Sequence, residues 1–314
     1  MPTLAARVAD VDVIAVGDVM LDVRVEAGAL EEGGDVHGKV LVRPGGSASN
    51  VAVWAAHAGS RTRTHGRVGS DTAGALIRDE LIRHGVEPAL TVDPEADTGT
   101  MLVVHEPGVR SMVADRGANG RLSPQDLPDR IQATAVLVSG YTLLHEPTFE
   151  AAAAALHRAR ARFLAVDGAS WPMLRDFGAD RFFEATAAAN VLFVNEREAE
   201  ILTGRRRESA ADALSARYPV VCVKLAEAGA LMSWEGLSIR LEGTPAKELD
   251  PTGAGDAFDG VLLAQLAAGR SPGDALQAAC RAGAQVAESY ETWPTSSSRA
   301  AEREPARDAP ADTR

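Results

Sequence analysis

Short runs of apolar residues alternate along the chain with longer segments in which helices are predicted. The first run, Val11 to Val16, is interrupted only by Asp12 and ends at Gly17-Asp18. Continuous runs of this length are typical of strands buried on both faces of a parallel sheet. Further runs predict strands over residues 136–138, 163–166, 191–194 and 220–224. Their alternation with helices from residue 135 onward predicts a mainly parallel sheet covered on both faces.

Several predicted strands end in polar residues, and ligand sites of open parallel sheets lie at the carboxyl ends of strands. We therefore expect a site near Gly17-Asp18, Ser139-Gly140-Tyr141, Asp167 and Asn195. Ser47 is predicted as the N-cap of the first helix. The predicted helices cover residues 47–57, 72–84, 147–160, 181–189 and 195–202, one begins near Phe258, and the last covers 271–290.

Four other segments have the partly alternating pattern of half-exposed strands. They cover residues 19–25, 40–42, 100–104 and 111–114, with a turn predicted at Glu106-Pro107-Gly108. Without crossover helices these strands cannot readily join a parallel sheet, so they predict a small separate sheet. Its apolar side chains must meet substrate, the main domain or another subunit; they are Val23, Val25, Val40, Val42, Met101, Val103 and Met112.

Composition narrows the function classes. The net charge of −12 speaks against nucleic acid as a bulk partner. Only two cysteines occur, no charged-then-apolar leader opens the chain, and no apolar run approaches the length of a membrane span. We therefore expect a cytoplasmic protein with no membrane partner. Residues 295–314 are rich in Ser, Ala, Pro and charge and predict a disordered tail.

The segment Asp250 to Gly260 carries the strongest chemical signal. A loop of small residues leads into a helix here, and the free amides and positive end of such a helix suit a phosphate. Asp256 would repel a phosphate, which makes sense if its carboxylate faces a hydroxyl whose proton it accepts. The alternative is an ordinary N-cap aspartate after a glycine turn.

Three further motifs accompany this segment. The first is Gly45-Gly46 followed by Asn50, and the second is the glycine-rich stretch Gly66 to Gly74. The third is Asn195 with Glu198, which share a helix face. That pair of oxygen ligands suits Mg²⁺, which keeps several waters, or else forms a capping box. No dinucleotide-binding or Walker A pattern occurs, which argues against a dinucleotide-binding protein and against a P-loop protein.

Together the four motifs resemble those of the ribokinase-like (PfkB) carbohydrate and nucleoside kinases, over roughly residues 11–294. The resemblance implies a ribokinase-like fold, a three-layer α/β/α arrangement with a mainly parallel sheet and a small β-sheet lid. The main nucleotide- and substrate-binding domain would comprise residues 11–18, 44–97 and 117–294. The lid would comprise residues 19–43 and 98–116 and cover a sugar, and it is often a dimer surface in the family.

The resemblance also implies roles for individual residues. Asp256 would be the catalytic base, with an anion hole formed by the amides of Gly253, Ala254 and Gly255. Asn195 and Glu198 would hold Mg²⁺ through water. The substrate candidates are Asp22, Gly46, Asn50, Tyr141 and Arg116, and the ATP candidates are Asn195, Lys224, Gly229, Thr252, Gly253 and Gly255. Arg116 has a plain alternative as a solvated lid arginine.

The chain departs from the family pattern at several positions. Pro251 replaces a Thr and removes a backbone donor, and Ala226 replaces a Gly beside Lys224. Gly283 and Ala284 stand where an Asn near the adenine is common, so adenine recognition stays open. Residues 291–294 do not match the monovalent-cation loop, so potassium activation does not carry over.

The sequence thus predicts an ATP-dependent carbohydrate kinase that uses Mg²⁺ and is a homodimer joined through the lid. It would move the γ-phosphate of ATP to a hydroxyl of a sugar or sugar-like substrate, and the acceptor itself stays open. One alternative is a nucleoside kinase of the same family, whose base would need an apolar shelf from Trp54, Tyr141 and Met112. The other is a non-catalytic sugar- or nucleotide-binding regulator, which Asp256 and the complete loop of residues 250–255, here called the anion loop, disfavour.

Overall fold

The computed structural model describes residues 10–28, 33–106 and 109–295. The predicted turn at Pro107-Gly108 and the predicted tail beyond Thr295 lie outside these residues. The strands are β1 (Val13–Val16), β2 (Met20–Ala27), β3 (Gly38–Gly45), β4 (Thr62–Gly69), β5 (Val86–Asp93), β6 (Thr100–Glu106), β7 (Val109–Asp115), β8 (Ile131–Gln132), β9 (Ala135–Val138), β10 (Ala159–Arg160), β11 (Phe163–Asp167), β12 (Val191–Asn195), β13 (Val220–Lys224), β14 (Ala230–Trp234) and β15 (Leu237–Leu241).

Helices connect most of these strands. They are α1 (Ser47–His57), α2 (Thr72–Arg83), α3 (Gly140–Leu143), α4 (Phe149–Arg158), α5 (Trp171–Phe177), α6 (Ala179–Ala185), α7 (Glu196–Thr203), α8 (Arg207–Ser215), α9 (Ala254–Ala267) and α10 (Pro272–Ala287). Short 3-10 helices cover Gly117–Arg121, Pro124–Asp126, Glu146–Thr148 and Ala226–Ala228.

The main sheet has nine strands in the order β15-β14-β13-β12-β11-β9-β1-β4-β5. All pairs from β13 to β5 are parallel, and β14 and β15 join as antiparallel strands at one edge. The predicted mainly parallel sheet is confirmed. The apolar runs did not reveal β4, because Thr62, Thr64 and His65 are buried within it.

Helices cover both faces of this sheet, and strands β1, β9, β11, β12, β13 and β14 each contribute to two cores. Val13 and Ala15 of β1 pack on one side, and Ile14 and Val16 pack on the other. Successive side chains of a strand point to opposite faces, so an unbroken apolar run is what a doubly covered strand requires. The fold therefore has the three layers that the sequence predicted.

The smaller sheet has four strands in the order β3-β2-β6-β7. Its two hairpins are antiparallel, and they join through the parallel pair β2 and β6. The prediction of a small separate sheet is confirmed. One part of its apolar surface is open, with Val40 59% and Val113 64% exposed, whereas Val103 is buried.

Some predicted helix limits were wrong. Ser47 is not an N-cap, because Gly46 takes that position with a φ of 92° and no side chain caps the helix. The helix predicted over 147–160 is shorter, because Glu146–Thr148 forms a 3-10 turn and Ala159–Arg160 pairs with β8. The helix predicted around 181–189 is α6, which covers Ala179–Ala185. It follows the unpredicted helix α5, and the two meet at Gly178, whose φ is 90°.

Helix α9 packs between α1 and α10 and brings its first turn to the carboxyl edge of the sheet. Within the described residues, no helix is long and apolar enough to cross a lipid bilayer. The approach of α9 to α1 is close at Gly260, where an added Cβ would lie 3.1 Å from the carbonyl carbon of Val51 and closer still to its oxygen.

We expect Gly260→Ala to lower the free energy of unfolding by about 1–3 kcal/mol, because the methyl group would force α1 and α9 apart. Urea denaturation followed by circular dichroism measures the change. Gly273→Ala in α10 is the matched control, since no atom lies within 4 Å of the added Cβ. The control should be neutral or slightly stabilising, and equal losses in both variants would contradict the close packing.

Candidate active site

The carboxylate of Asp256 lies at the point where α9 meets α1. Its Oδ1 accepts a hydrogen bond from Ser47 Oγ at 2.8 Å, and its Oδ2 accepts one from Asn50 Nδ2 at 2.8 Å. Ser47 and Asn50 are three residues apart and therefore share one face of α1. Gly253 is the N-cap of α9 and Asp256 is its third residue, so the N-cap alternative for Asp256 is wrong.

The loop before α9 leaves donors free at the positive end of a 14-residue helix. Among the described residues, the N–H groups of Gly253 and Gly255 have no intramolecular acceptor. The N–H of Ala254, the third amide predicted for the anion hole, donates to the Pro251 carbonyl at 3.1 Å in this structure. The Thr252 amide and hydroxyl donate to Asp250 Oδ1 at 3.0 and 2.6 Å.

Lys224 supplies a positive charge beside this loop. A Cβ added to Gly255 would lie 3.3 Å from Lys224 Nζ, and that ammonium is 3.0 Å from both carboxylate oxygens of Asp259. Burial acts to lower the pKa of Lys224, but the carboxylates of Asp259, Glu198 and Asp167 raise it above its usual value. Lys224 therefore stays protonated at the helix end.

Several carboxylates face Asp256 and one another. Burial raises the pKa of Asp256, while its hydrogen bonds from Asn50 and Ser47 and the charge of Lys224 act to lower it. Burial also raises the pKa of Asp22 to about 7, although Arg24 opposes the shift. A carboxyl that is partly protonated near neutrality can both donate and accept a hydrogen bond.

The predicted substrate residues do not all have free side chains. Asp22 is buried beside Gly45, and Arg116 Nη2 contacts Asp18 Oδ1 at 2.6 Å, so Arg116 is not a solvated arginine. Gly46 brings its backbone against the Asp18 carbonyl, and an added Cβ would lie 2.5 Å from that oxygen. Burial, with nearby carboxylates including Asp256, raises the pKa of Tyr141.

Asn195 and Glu198 form the capping box of α7. Asn195 Oδ1 accepts from the Glu198 amide at 2.9 Å, and Glu198 Oε2 accepts from the Asn195 amide at 2.9 Å. Glu198 is 4% exposed. Nearby, Asp167 Oδ2 is buried without a hydrogen-bond partner among the described residues, and a Cβ on Gly168 would lie 2.7 Å from Glu198 Oε2. The unpaired Asp167 oxygen fits Mg²⁺ with retained waters, whereas both Glu198 oxygens already accept hydrogen bonds from Asn195. No group of three or more His, Cys, Asp or Glu in the described chain could hold a metal by itself.

Gly229 lies in the turn between β13 and β14, which directly follows Lys224. Its φ is 91°, and an added Cβ would lie 2.6 Å from the backbone nitrogen of Gly243. The turn therefore requires a glycine at this position whether or not a nucleotide binds nearby. Ala226 adopts a φ of 52° in the same turn, in the left-handed region that favours glycine.

A buried ion pair between Arg24 and Asp250 fixes the start of the loop that leads into α9. Arg24 Nη1 lies 2.8 Å from Asp250 Oδ2 and also donates to the Tyr290 carbonyl at 2.8 Å. Arg24 is 2% exposed and Asp250 is fully buried. The pair joins β2 of the smaller sheet to the first residue of the anion loop.

Sequence reasoning missed the direct partners of Asp256. The signal for Ser47 was its spacing of three from Asn50, which places both on one helix face. Asp259 stands three residues after Asp256, so the same spacing argument places both carboxylates on one face of α9. Lys224 contacts Asp259 there. Trp293, which contacts Asn50, gave no local signal.

Comparison with solved structures defines the class of fold. The chain is similar to an adenosine kinase from Sinorhizobium meliloti, with a TM-score of 0.83, 22% identity and coverage of 94% of this chain and 99% of the other. It is also similar to an E. coli protein solved in complex with ATP and Mg²⁺, with a TM-score of 0.76, 23% identity and coverage of 90% and 94%. These matches show a ribokinase-like fold.

The sequence comparisons give the family. The model of the pfkB family carbohydrate kinases matches residues 11–298, so the chain belongs to that family. A fructokinase of Vibrio alginolyticus is 31% identical over 242 residues, which cover 72% of this chain and 78% of the relative. A 2-dehydro-3-deoxygluconokinase of Thermoproteus tenax is 30% identical over 254 residues, with coverage of 77% and 78%. The predicted resemblance to the PfkB kinases and the prediction of a carbohydrate kinase are confirmed.

We expect Arg24→Met to lower the free energy of unfolding by about 3–5 kcal/mol, because it removes one partner of a buried charge pair. Arg43→Met is the matched control. Arg43 is 42% exposed and pairs with Glu291 at 2.8 Å, and such surface pairs contribute about 0.2–1 kcal/mol. Denaturant midpoints measure both, and similar small losses would contradict a supporting role for the buried pair.

Proposed function

We propose that the protein transfers the γ-phosphoryl group of ATP to a hydroxyl of a sugar, with Asp256 as the general base. The observation that carries the proposal is the juxtaposition of two chemically opposite features in one helix turn. The amides of Gly253 and Gly255 have no acceptor among the described residues at a positive helix end, and Asp256 belongs to the same first turn of α9.

In the proposed reaction, the acceptor hydroxyl gives its proton to Asp256 as its oxygen bonds to the γ-phosphorus of ATP. The bond from that phosphorus to the bridging oxygen breaks at the same time, and ADP leaves. The transferring group would be held by the Gly253 and Gly255 amides and by the charge of Lys224, which stabilise the developing negative charge. The raised pKa of Asp256 suits a base that must take a proton near neutral pH. Ser47 and Asn50 leave the carboxylate its other lone pairs for the hydroxyl.

ATP and Mg²⁺ are the implied co-substrate and metal. We assign Asn195, Lys224, Thr252, Gly253 and Gly255 to ATP, and Gly229 more distantly through its turn. Asn195 and Glu198 would hold Mg²⁺ through water, with Asp167 as a further oxygen donor. The metal would neutralise phosphate charge. An E. coli structural relative binds both ATP and Mg²⁺, which supports this assignment.

The acceptor that the site favours is a sugar. Carboxylates such as Asp22 and Asp18 are suited to the hydroxyls of a polyol, and we assign Asp22, Gly46, Asn50, Tyr141 and Arg116 to its binding. The relatives named fructokinase and 2-dehydro-3-deoxygluconokinase support the same choice. The apolar shelf that a nucleoside base needs has less support, because Trp54 is 2% exposed and donates to the Thr292 carbonyl.

We further propose that residues 19–43 and 98–116 act as a lid on a main domain of residues 11–18, 44–97 and 117–294. The ion pair of Arg116 with Asp18 and that of Arg24 with Asp250 join the two parts at the site. Closing such a sheet over the sugar would exclude water from the transferring phosphate.

We expect Asp256→Asn to lower kcat by about 10²–10⁴-fold, because the base is lost. Binding of ATP should persist, since amides and Lys224 provide it. The assay is ADP release with a panel of hexoses, pentoses, sugar acids and nucleosides, together with calorimetry of ATP binding. The preferred acceptor in the wild-type protein tests the sugar assignment.

The matched control for this variant is Asp274→Asn. Asp274 is the third residue of α10, as Asp256 is of α9, but it is exposed at the surface. The control should keep wild-type turnover. Near-wild-type turnover of Asp256→Asn on the best substrate would show that Asp256 is not the base.

We also expect a homodimer formed through the open face of the smaller sheet. Sedimentation at micromolar concentration should give a dimer, and Val113→Asp should give a monomer because it places a charge on the apolar face. Leu237→Asp is the control, since Leu237 is 68% exposed on β15 of the main sheet and Val113 is 64% exposed. A monomeric wild-type protein would exclude this dimer.

A further inference from the structure

The segment that follows α10 returns to the candidate active site. Residues 289–295, here called the return segment, contact α1 and the smaller sheet. The Tyr290 carbonyl accepts from Arg24 at 2.8 Å, Glu291 pairs with Arg43, and the Thr292 carbonyl accepts from Trp54 Nε1 at 2.8 Å. Trp293 Nε1 donates to Asn50 Oδ1 at 2.7 Å in a buried hydrogen bond.

This last hydrogen bond fixes the orientation of the Asn50 carboxamide. An indole nitrogen can only donate, so the Asn50 oxygen must face Trp293. The Asn50 NH₂ group then faces Asp256 and donates to Oδ2 at 2.8 Å. Reversing the amide would place its oxygen against the carboxylate and its NH₂ against the indole N–H, and both contacts would be repulsive.

We propose that Trp293 is a positioning residue that holds Asp256 in its ionised form by orienting Asn50. Trp293 touches neither the acceptor nor the phosphate in this assignment; it acts through the carboxamide. The link runs from the return segment through α1 to the third residue of α9. The proposal rests on the proposed function only for its effect on turnover.

The surroundings hold Trp293 in place for this role. It is 8% exposed, and its ring meets the ring of His84 at a centroid distance of 5.2 Å. Next to it, the Thr292 side chain packs against Gly253, where an added Cβ would lie 2.8 Å from Thr292 Cγ2 and 3.7 Å from Asn50 Nδ2. The return segment therefore also packs against the anion loop at Gly253.

The groups around Asp256 act on its pKa in opposite directions, so the direction in which Asn50 presents its donor affects that pKa. Lys224 from β13 and the donors Ser47 and Asn50 from α1 favour the carboxylate. The groups that oppose it or are coupled to it are Asp18 after β1, Asp22 of β2, Tyr141 of α3, Asp167 of β11 and Asp259 of α9. With burial already raising the pKa of Asp256, loss of one fixed donor would raise it further.

The test is Trp293→Phe, with the pKa of Asp256 measured in the protein without ligands. Carbon-13 NMR of the aspartate carboxyl groups gives that pKa, and the Asp256 signal is the one absent in Asp256→Asn. We expect the pKa of Asp256 to rise by about one unit, since hydrogen bonds to charged groups correspond to shifts of this size. The acid limb of kcat/KM should move to higher pH by the same amount, because the base must be ionised.

Trp54→Phe is the matched control. It also removes an indole hydrogen bond to the return segment, but to the backbone carbonyl of Thr292 and not to Asn50. Both variants should lower the melting temperature, and only Trp293→Phe should shift the pKa of Asp256. Equal shifts in both variants, or no shift in Trp293→Phe, would overturn the proposal.

The two readouts separate this proposal from the proposed function. A raised pKa of Asp256 with an unmoved acid limb would support the role of Trp293 and count against Asp256 as the base. An unmoved pKa in Trp293→Phe would overturn the role of Trp293, whatever Asp256→Asn does to turnover.

Discussion

The packing of α1 against α9 is the contact on which the candidate site depends. The two helices approach so closely at Gly260 that backbone meets backbone, and this brings Ser47 and Asn50 within hydrogen-bond distance of Asp256. Neither helix makes a site alone: one carries the carboxylate and the free amides, and the other carries the donors that hold the carboxylate. Because interiors are densely packed, a shift of either helix would be felt directly in this geometry.

Burial of many acidic groups at one edge of the sheet has a cost, and the structure offsets it with a few cations. Lys224 lies against Asp259, Arg24 against Asp250 and Arg116 against Asp18. Each pair connects separate elements. Lys224 joins the main sheet to α9, Arg24 joins the smaller sheet to the anion loop, and Arg116 joins the end of the smaller sheet to the residue pair after β1. The net contribution of such a pair to stability is small, because desolvation largely cancels the attraction. Removing one partner alone is costly, because it leaves a buried charge unpaired.

The sequence anticipated much of this architecture for local reasons. Unbroken apolar runs predicted β1, β9, β11, β12 and β13, and the small residues of 250–260 predicted a loop that leads into a helix. Where neighbours in the chain did not carry the signal, the predictions failed. Strand β4 contains buried threonines, and Ser47 followed a glycine with positive φ that took the N-cap position from it.

The sequence by itself determined the fold class, the family and the loop with Asp256, because each depends on residues close together in the chain. Only the tertiary structure decided what surrounds that carboxylate. Asp256 meets Asn50 across 206 residues, Arg24 meets Asp250 across 226, and Trp293 meets Asn50 across 243. Contacts of this kind arise from the order of strands in the sheet and the packing of helices on it, and no local pattern encodes them.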